Sequence, residues 1–235
     1  MKKVITFLTL VLALSVVAPV QAQLFSKEEN PKKERKEAKK ADKKALKEIK
    51  SRAVRQARKE GRKLKKRGFA VFPGSMPADK QLERVWQKQY MENNDGTPTY
   101  LFADGNGVGK TQTSAEMQAM EAAKLQLAGI ISNEINQIIE SKIANEQVDR
   151  ETGNSLTKFV AGGKNYIVQH LTYVRPGFKV YRNSGEADIE VFVKLHYNAE
   201  EAYAAAERAL QAKAKAELEE EADVLIDEIN RLLDR

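Results

Sequence analysis

The 235 residues contain no cysteine. That excludes a disulfide framework, a thiolate metal site, a cysteine nucleophile and lipid attachment at an amino-terminal cysteine. Histidine is nearly absent as well. His170 and His196 stand alone, far apart, with no H-x-x-H or HExxH pairing for a zinc site, and both are read as structural. Serines 114, 132, 141, 155 and 184 lack the context of a nucleophile elbow. Asp188 and Glu190 share one strand face two residues apart, as paired catalytic carboxylates do. Lys194 on the same face turns that pair into an expected surface ladder of opposite charges. No catalytic, cofactor or metal residue is therefore predicted. Beyond residue 17 no long apolar run recurs, so the mature chain is expected to lack a membrane-spanning helix.

What the chain does have begins with "MKKVITFLTLVLALSVVAPVQAQ". Two lysines, a run of apolar residues from 4 to 17 and a small-residue site around Ala22 make the pattern of a secretory signal peptide over 1–22. A basic arm follows over 23–67. Its stretch 27–67 carries 20 lysines and arginines against 7 acids, a net of +13. The whole chain is +7 and the signal +2, which leaves residues 68–235 at −8. Ala38, Ala41, Ala45, Ile49, Ala53 and Ala57 recur at steps of three and four, with Leu46, Val54 and Leu64 nearby. That spacing predicts a helix over 32–60 with a narrow, weakly docked alanine face. Either the arm is a solvated spacer or it contacts an acidic surface, an anionic membrane or an acidic envelope protein. Nucleic acid would attract the same charge, but an exported protein rarely meets it, so that partner ranks last.

Residues 68–96 are expected to form a linker, extended over 69–72, and a short amphipathic helix at 79–92 with Leu82, Val85, Trp86 and Tyr90 on its inner side. The core domain is placed at 97–210. It opens with a strand at 99–103 and a glycine-rich turn, Gly105, Gly107 and Gly109. A long helix then starts at a capping box, Thr113 with Glu116. Met120, Ala123, Leu127, Ile131, Ile135 and Ile138 trace its apolar face, widened by Ile130, Ile139 and Ile143. A second helical pattern carries Leu156, Phe159, Val160, Ile167 and Leu171 and is interrupted at Gly162–Gly163. Strands at 178–182 and 187–197 form a hairpin around "NSGE". In the second, Ala187, Ile189, Val191, Val193, Leu195 and Tyr197 face a covering helix. Asp188, Glu190, Lys194, His196 and Asn198 face water. A final helix begins at 198 or 199, with an extension over 211–235. There Leu218, Ala222, Leu225, Ile229 and Leu232 form a short heptad seam suited to a homo-oligomer or to the chain's own body.

The segment "FADGNGVGKTQTSAEMQAME" imitates a nucleotide-binding loop. A Walker A loop requires glycine five residues before its Gly-Lys-Thr, so that bare backbone N–H groups turn toward phosphate. Asp104 stands there instead, a carboxylate facing phosphate. The G-x-G-x-x-G pattern fails too, because Lys110 occupies its last position. "ADVLIDE" resembles a Walker B strand ending in Asp227, but its apolar residues belong to the helical seam. An enzyme using 104–111 as a phosphate or nucleotide site is thus the alternative, with a structural spacer whose charged ends pair as a third reading.

The order of elements in "YLFADGNGVGKTQTSAEMQAMEAAKLQLAGIISNEINQIIES" and, later, "ADIEVFVKLHYN" resembles the Lpp-twenty lipoprotein family of bacterial cell envelopes over about residues 97–210. The amino-terminal domain of flagellar assembly protein T looks similar. Gly105 and Gly107, then Ala115, Ala119, Ala122 and Ala123, carry the likeness. It implies a small α/β envelope domain that binds or assembles and brings no catalytic residue. The chain departs from the family in lacking a lipobox cysteine, so lipidation is not carried over. The expectation is an α+β fold: a small antiparallel sheet packed on a long helix, flanked by a basic amino-terminal helix and a carboxy-terminal helix. The expected setting is the periplasm or the outer membrane, reached without a cofactor or catalytic activity.

Overall fold

The computed structural model describes residues 31–145, 148–185, 187–217 and 222–233. The expected signal peptide, 1–22, and Leu218 of the seam lie outside the described residues. The chain divides into two units, Met1–Ala41 and Asp42–Arg235. In the first, the described residues form the opening turns of helix α1 (Pro31–Lys66), where Lys36, Lys39 and Lys40 are exposed. The second unit holds the rest of α1 and all later elements. Helix α1 passes through Gly61 and ends six residues beyond the predicted limit.

Four strands form one antiparallel sheet in the order β1-β3-β4-β2. They are β1 (Ala70–Val71), β2 (Tyr100–Gly109), β3 (Pro176–Ser184) and β4 (Asp188–Asn198). The β3–β4 hairpin lies where the sequence places it. Strand β2 is twice the expected length, because the supposed glycine turn is strand. It pairs with β4 in unbroken register from Tyr100↔Asn198 to Gly109↔Ile189.

Glycine ordinarily weakens a strand, and here its role is close approach. Gly105, Gly107 and Gly109 alternate, so they share one face of β2. Helix α3 (Gln112–Ala144) lies on that face with Ala115, Ala119 and Ala123, all fully buried. A Cβ at Gly105 would sit 2.0 Å from the Ala119 carbonyl oxygen, and one at Gly107 2.3 Å from that of Ala115. The helix is capped by Thr111, whose hydroxyl accepts from the Ser114 N–H at 3.2 Å, rather than by the expected Thr113. On the edge of the sheet the Gln126 side-chain carbonyl of α3 accepts from the Asp104 N–H, which satisfies a strand group that pairing leaves free.

The sheet is covered on both faces. On the first, Val191, Val193 and Leu195 of β4 meet the alanines of α3. Farther along α3, Leu127, Ile131, Ile135 and Ile139 pack with α4 (Arg150–Gly162), α5 (Lys164–His170) and α6 (Ala199–Glu217). The break between α4 and α5 falls at Gly163, as the glycine pair predicts. Asp149 caps α4, accepting from the Glu151 and Thr152 N–H groups. At its other end the buried Lys213 ammonium of α6 donates to the Phe159 carbonyl at 2.8 Å, opposing the negative end of the helix dipole.

The second face is not the wet surface expected. Helix α2 (Ala78–Gln89) and the last turns of α1 close over it. Leu82 and Val85 of α2, with Ala57 and Leu64 of α1, pack on Phe178 and Val180 of β3; Phe102 and Phe192 join the cluster from β2 and β4. Helix α2 is thus a covering layer, residues 70–71 are an edge strand of the sheet itself, and the docked part of α1 is more than a loose alanine stripe.

The last helix is two. α6 ends at Glu217, and α7 (Ala222–Leu233) packs back on α6 and α3. Ala222 and Ile229 of the seam are buried within the chain's own body. The Gln211 amide donates to Asn230 Oδ1 at 3.0 Å, and Lys142 donates to the Arg231 carbonyl at 3.2 Å. These two positions of the seam therefore pack within the chain's own body. Asp227 is helical and exposed, not the end of a Walker B strand.

Candidate functional site

The carboxy-terminal part of α1 has two unlike faces. Ala53, Ala57 and Leu64 point inward and are buried. The opposite side presents Arg55, Arg58, Lys59, Arg62, Lys63 and Lys66, all exposed, around a shallow depression of about 370 Å³. Arg52 and Gln56 extend it toward Tyr90. Helical spacing of three and four sets these cations in one stripe, and burial of the alanine side fixes which way the stripe looks. Upstream, Leu46 is 62% exposed among the exposed Lys43, Lys47 and Lys50.

Beneath this layer, the charged positions of β4 are neutralised one by one rather than as a ladder. Asp188 pairs with Lys110 at 2.8 Å. Glu190, 5% exposed, accepts from Arg182 at 2.6 Å and from Asn106 at 2.7 Å. Burial raises the Glu190 pKa, but the Asn106 and Arg182 hydrogen bonds and the arginine charge outweigh it and hold the carboxyl below its ordinary value. Lys194 does not pair with Glu190. It reaches Asp104 at 3.0 Å and Glu60 of α1 at 3.1 Å, and Glu60 also accepts from the Trp86 indole N–H at 2.8 Å. This network ties α1, α2, β2 and β4 together.

Both groups that drew attention to a nucleotide loop are thereby accounted for. Asp104 belongs to Lys194 and Lys110 to Asp188, while the glycines between them are strand. The segment forms no loop that could wrap a phosphate.

The histidines differ sharply. The His170 Nδ1–H donates to the Tyr166 carbonyl one turn back, a local helical contact. His196 sits between sheet and α2, with its Nε2 2.5 Å from the Lys88 ammonium. An ammonium can only donate, so Nε2 accepts and the ring proton resides on Nδ1. That atom is buried against Gly177 without a hydrogen-bond partner among the described residues. Burial, and secondarily the Lys88 charge, push the His196 pKa down to about 4.

In the unfolded chain the same ring protonates near its ordinary value of 6.5. The folded state thus loses stability as pH falls from about 6.5 to about 4, where the unfolded chain binds the extra proton. Discounted for the ring's partial exposure, the loss is about 2 kcal/mol. Urea denaturation at about pH 7.5 and about pH 4.5 is expected to show this acid sensitivity reduced in His196→Gln. An equal loss in the variant would place its origin elsewhere.

Lys88 and His196 also form one wall of a cavity of about 530 Å³ between α2, the α5–β3 connection, the end of β4 and α6. Sequence reasoning missed it, because its cations, Lys88, Arg175 and Arg208, are 33 to 120 residues apart and form no local motif. No family model, curated protein or solved structure matches the chain.

Proposed function

We propose that this chain is an exported, non-enzymatic protein of the bacterial cell envelope that docks on an anionic membrane surface through the basic face of α1. The observation that carries this reading is the fixed stripe of six exposed cations, Arg55 to Lys66, on a helix whose other side is part of the core. A free basic tail would contact acids in any orientation; this stripe presents the folded body in one. Each lysine or arginine near an anionic surface contributes about 1 kcal/mol, falling off within a Debye length of about 10 Å at 0.1 M salt. Leu46 among lysines adds an apolar contact of the kind interfacial helices use. The secretory pattern of the first residues and the resemblance to an envelope family support the same setting. The non-enzymatic half of the reading is supported by the strand conformation of 104–109 and by the ion pairs that occupy Asp104 and Lys110.

Deleting the arm is a poor test, since Ala57 and Leu64 would leave the core with it. Reversing charge at Arg55, Arg58, Arg62 and Lys66, all to Glu, leaves the buried side intact. Cosedimentation with phosphatidylglycerol vesicles is expected to fall more than about 100-fold in affinity, and wild-type binding to weaken steeply with salt. Equal binding by the variant, or salt-insensitive binding by the wild type, would sink the proposal.

A further inference from the structure

We infer that the cavity between α2, the α5–β3 connection and α6 is a binding site for a phosphomonoester. Three cations reach it from three separate elements: Lys88 from α2, Arg175 from the connection and Arg208 from α6. Arg175 and Arg208 are exposed, and neither side chain has an ion pair or hydrogen bond among the described residues. Elsewhere on this body Lys110, Lys179, Arg182 and Lys194 are each matched with a carboxylate. Exposed cations such as Arg84 and Lys158 also stand without a carboxylate among the described residues; what sets Arg175 and Arg208 apart is that both line one cavity.

Charge selects the ligand. Glu201 is the single acid of the lining among the described residues, which together carry a net of two positive charges. A phosphomonoester is close to a dianion at neutral pH, because its second pKa is near 6. A monocarboxylate would leave one cation uncompensated. The planar forks of two arginines suit the tetrahedral oxygens of phosphate, and an ammonium supplies a third, point-like charge.

The organic part of the ligand has surfaces to meet. The Tyr100 ring stands in the wall, with the Lys88 ammonium 4.6 Å from its centroid. Tyr173, at the rim, is 92% exposed and has φ +55°, the only positive φ outside glycine among the described residues. Left-handed backbone at an aromatic residue is disfavoured, and such outliers gather at ligand sites. The strain here holds a bare aromatic ring beside the cations. The volume of about 530 Å³ accommodates a sugar phosphate.

Calorimetric titration of the full chain with glucose 6-phosphate, and in parallel with inorganic phosphate, is the test. Saturable binding is expected. It should weaken about tenfold or more in the double variant Arg175→Gln/Arg208→Gln and stay unchanged in Lys158→Gln, an exposed cation on α4 outside the cavity. Both arginines are unpartnered and exposed, so the double variant should keep its melting temperature by circular dichroism. Phosphatidic acid vesicles distinguish a lipid source from a soluble one. If the double variant loses affinity for these beyond any loss on phosphatidylglycerol, a phosphodiester, the ester is carried by a lipid headgroup. Full-strength phosphate binding by the double variant overturns the assignment. So does a wild type that shows no saturable heat with either soluble phosphate up to about 10 mM and no preference for phosphatidic acid.

Discussion

Gly105→Ala is expected to destabilise the protein by on the order of 3 kcal/mol or more, measured by urea denaturation. The added methyl would lie 2.0 Å from the Ala119 carbonyl oxygen and 2.7 Å from the Ala123 amide nitrogen. Both are backbone atoms in the middle of a 33-residue helix, so no flexible side chain can move aside. Relief requires lifting α3 away from β2, and that would open the contact between Ala115, Ala119, Ala123 and the sheet. Gly129→Ala is the contrast. It lies inside α3, and its nearest neighbour is the end of the Lys164 side chain at 3.4 Å. There the better helix propensity of alanine is expected to stabilise by about 0.5–1 kcal/mol. If Gly105 lay in a flexible turn, as its composition suggests, alanine would cost little. A mild effect at this position would therefore refute the close packing of α3 on β2.

The glycine segment also shows where sequence reasoning stops. Strong period carries through: α3, the hairpin of β3 and β4, and the α4–α5 break at Gly163 all lie where apolar spacing and glycine chemistry place them. Gly105, Gly107 and Gly109 carried a signal that was misassigned. They repeat every two residues, a strand period, and Ala115, Ala119 and Ala123 repeat every four, a helical one. Taken together these are two matching small faces. Taken singly, glycines next to Asp and Asn look like a loop, since propensity alone does not record what packs on a strand. The charged face of β4 misled for a related reason. Glu190, Lys194 and His196 look solvated in the strand itself, and their partners Arg182, Glu60 and Lys88 come from three other elements. The cation-lined cavity is less legible still, being assembled from five segments, α2, β2, the α5–β3 connection, β4 and α6, with no shared spacing.

The covered second face yields the other large effect. Phe178→Ala is expected to cost about 4 kcal/mol. Phe178 is fully buried, stacks edge-on with Phe192 at 6.2 Å and lies in the cluster that holds Leu82, Val85, Ala57 and Leu64. On a sheet open to water the same change would cost under about 0.5 kcal/mol, so the measurement separates the two pictures of the sheet directly. The loss should be uneven. The cavity left by the ring adjoins α2 and the end of α1, and the α3 side of the sheet keeps its own contacts, so α1 and α2 should open first. Trypsin supplies the readout, because the helix that loosens is the one crowded with lysine and arginine. In Phe178→Ala, cleavage within 55–67 is expected to accelerate before cleavage in α3. The same variant should still bind anionic vesicles, since its cations are untouched. It should hold the body in no fixed orientation on them, because the stripe faces outward only while Ala57 and Leu64 stay anchored over Phe178.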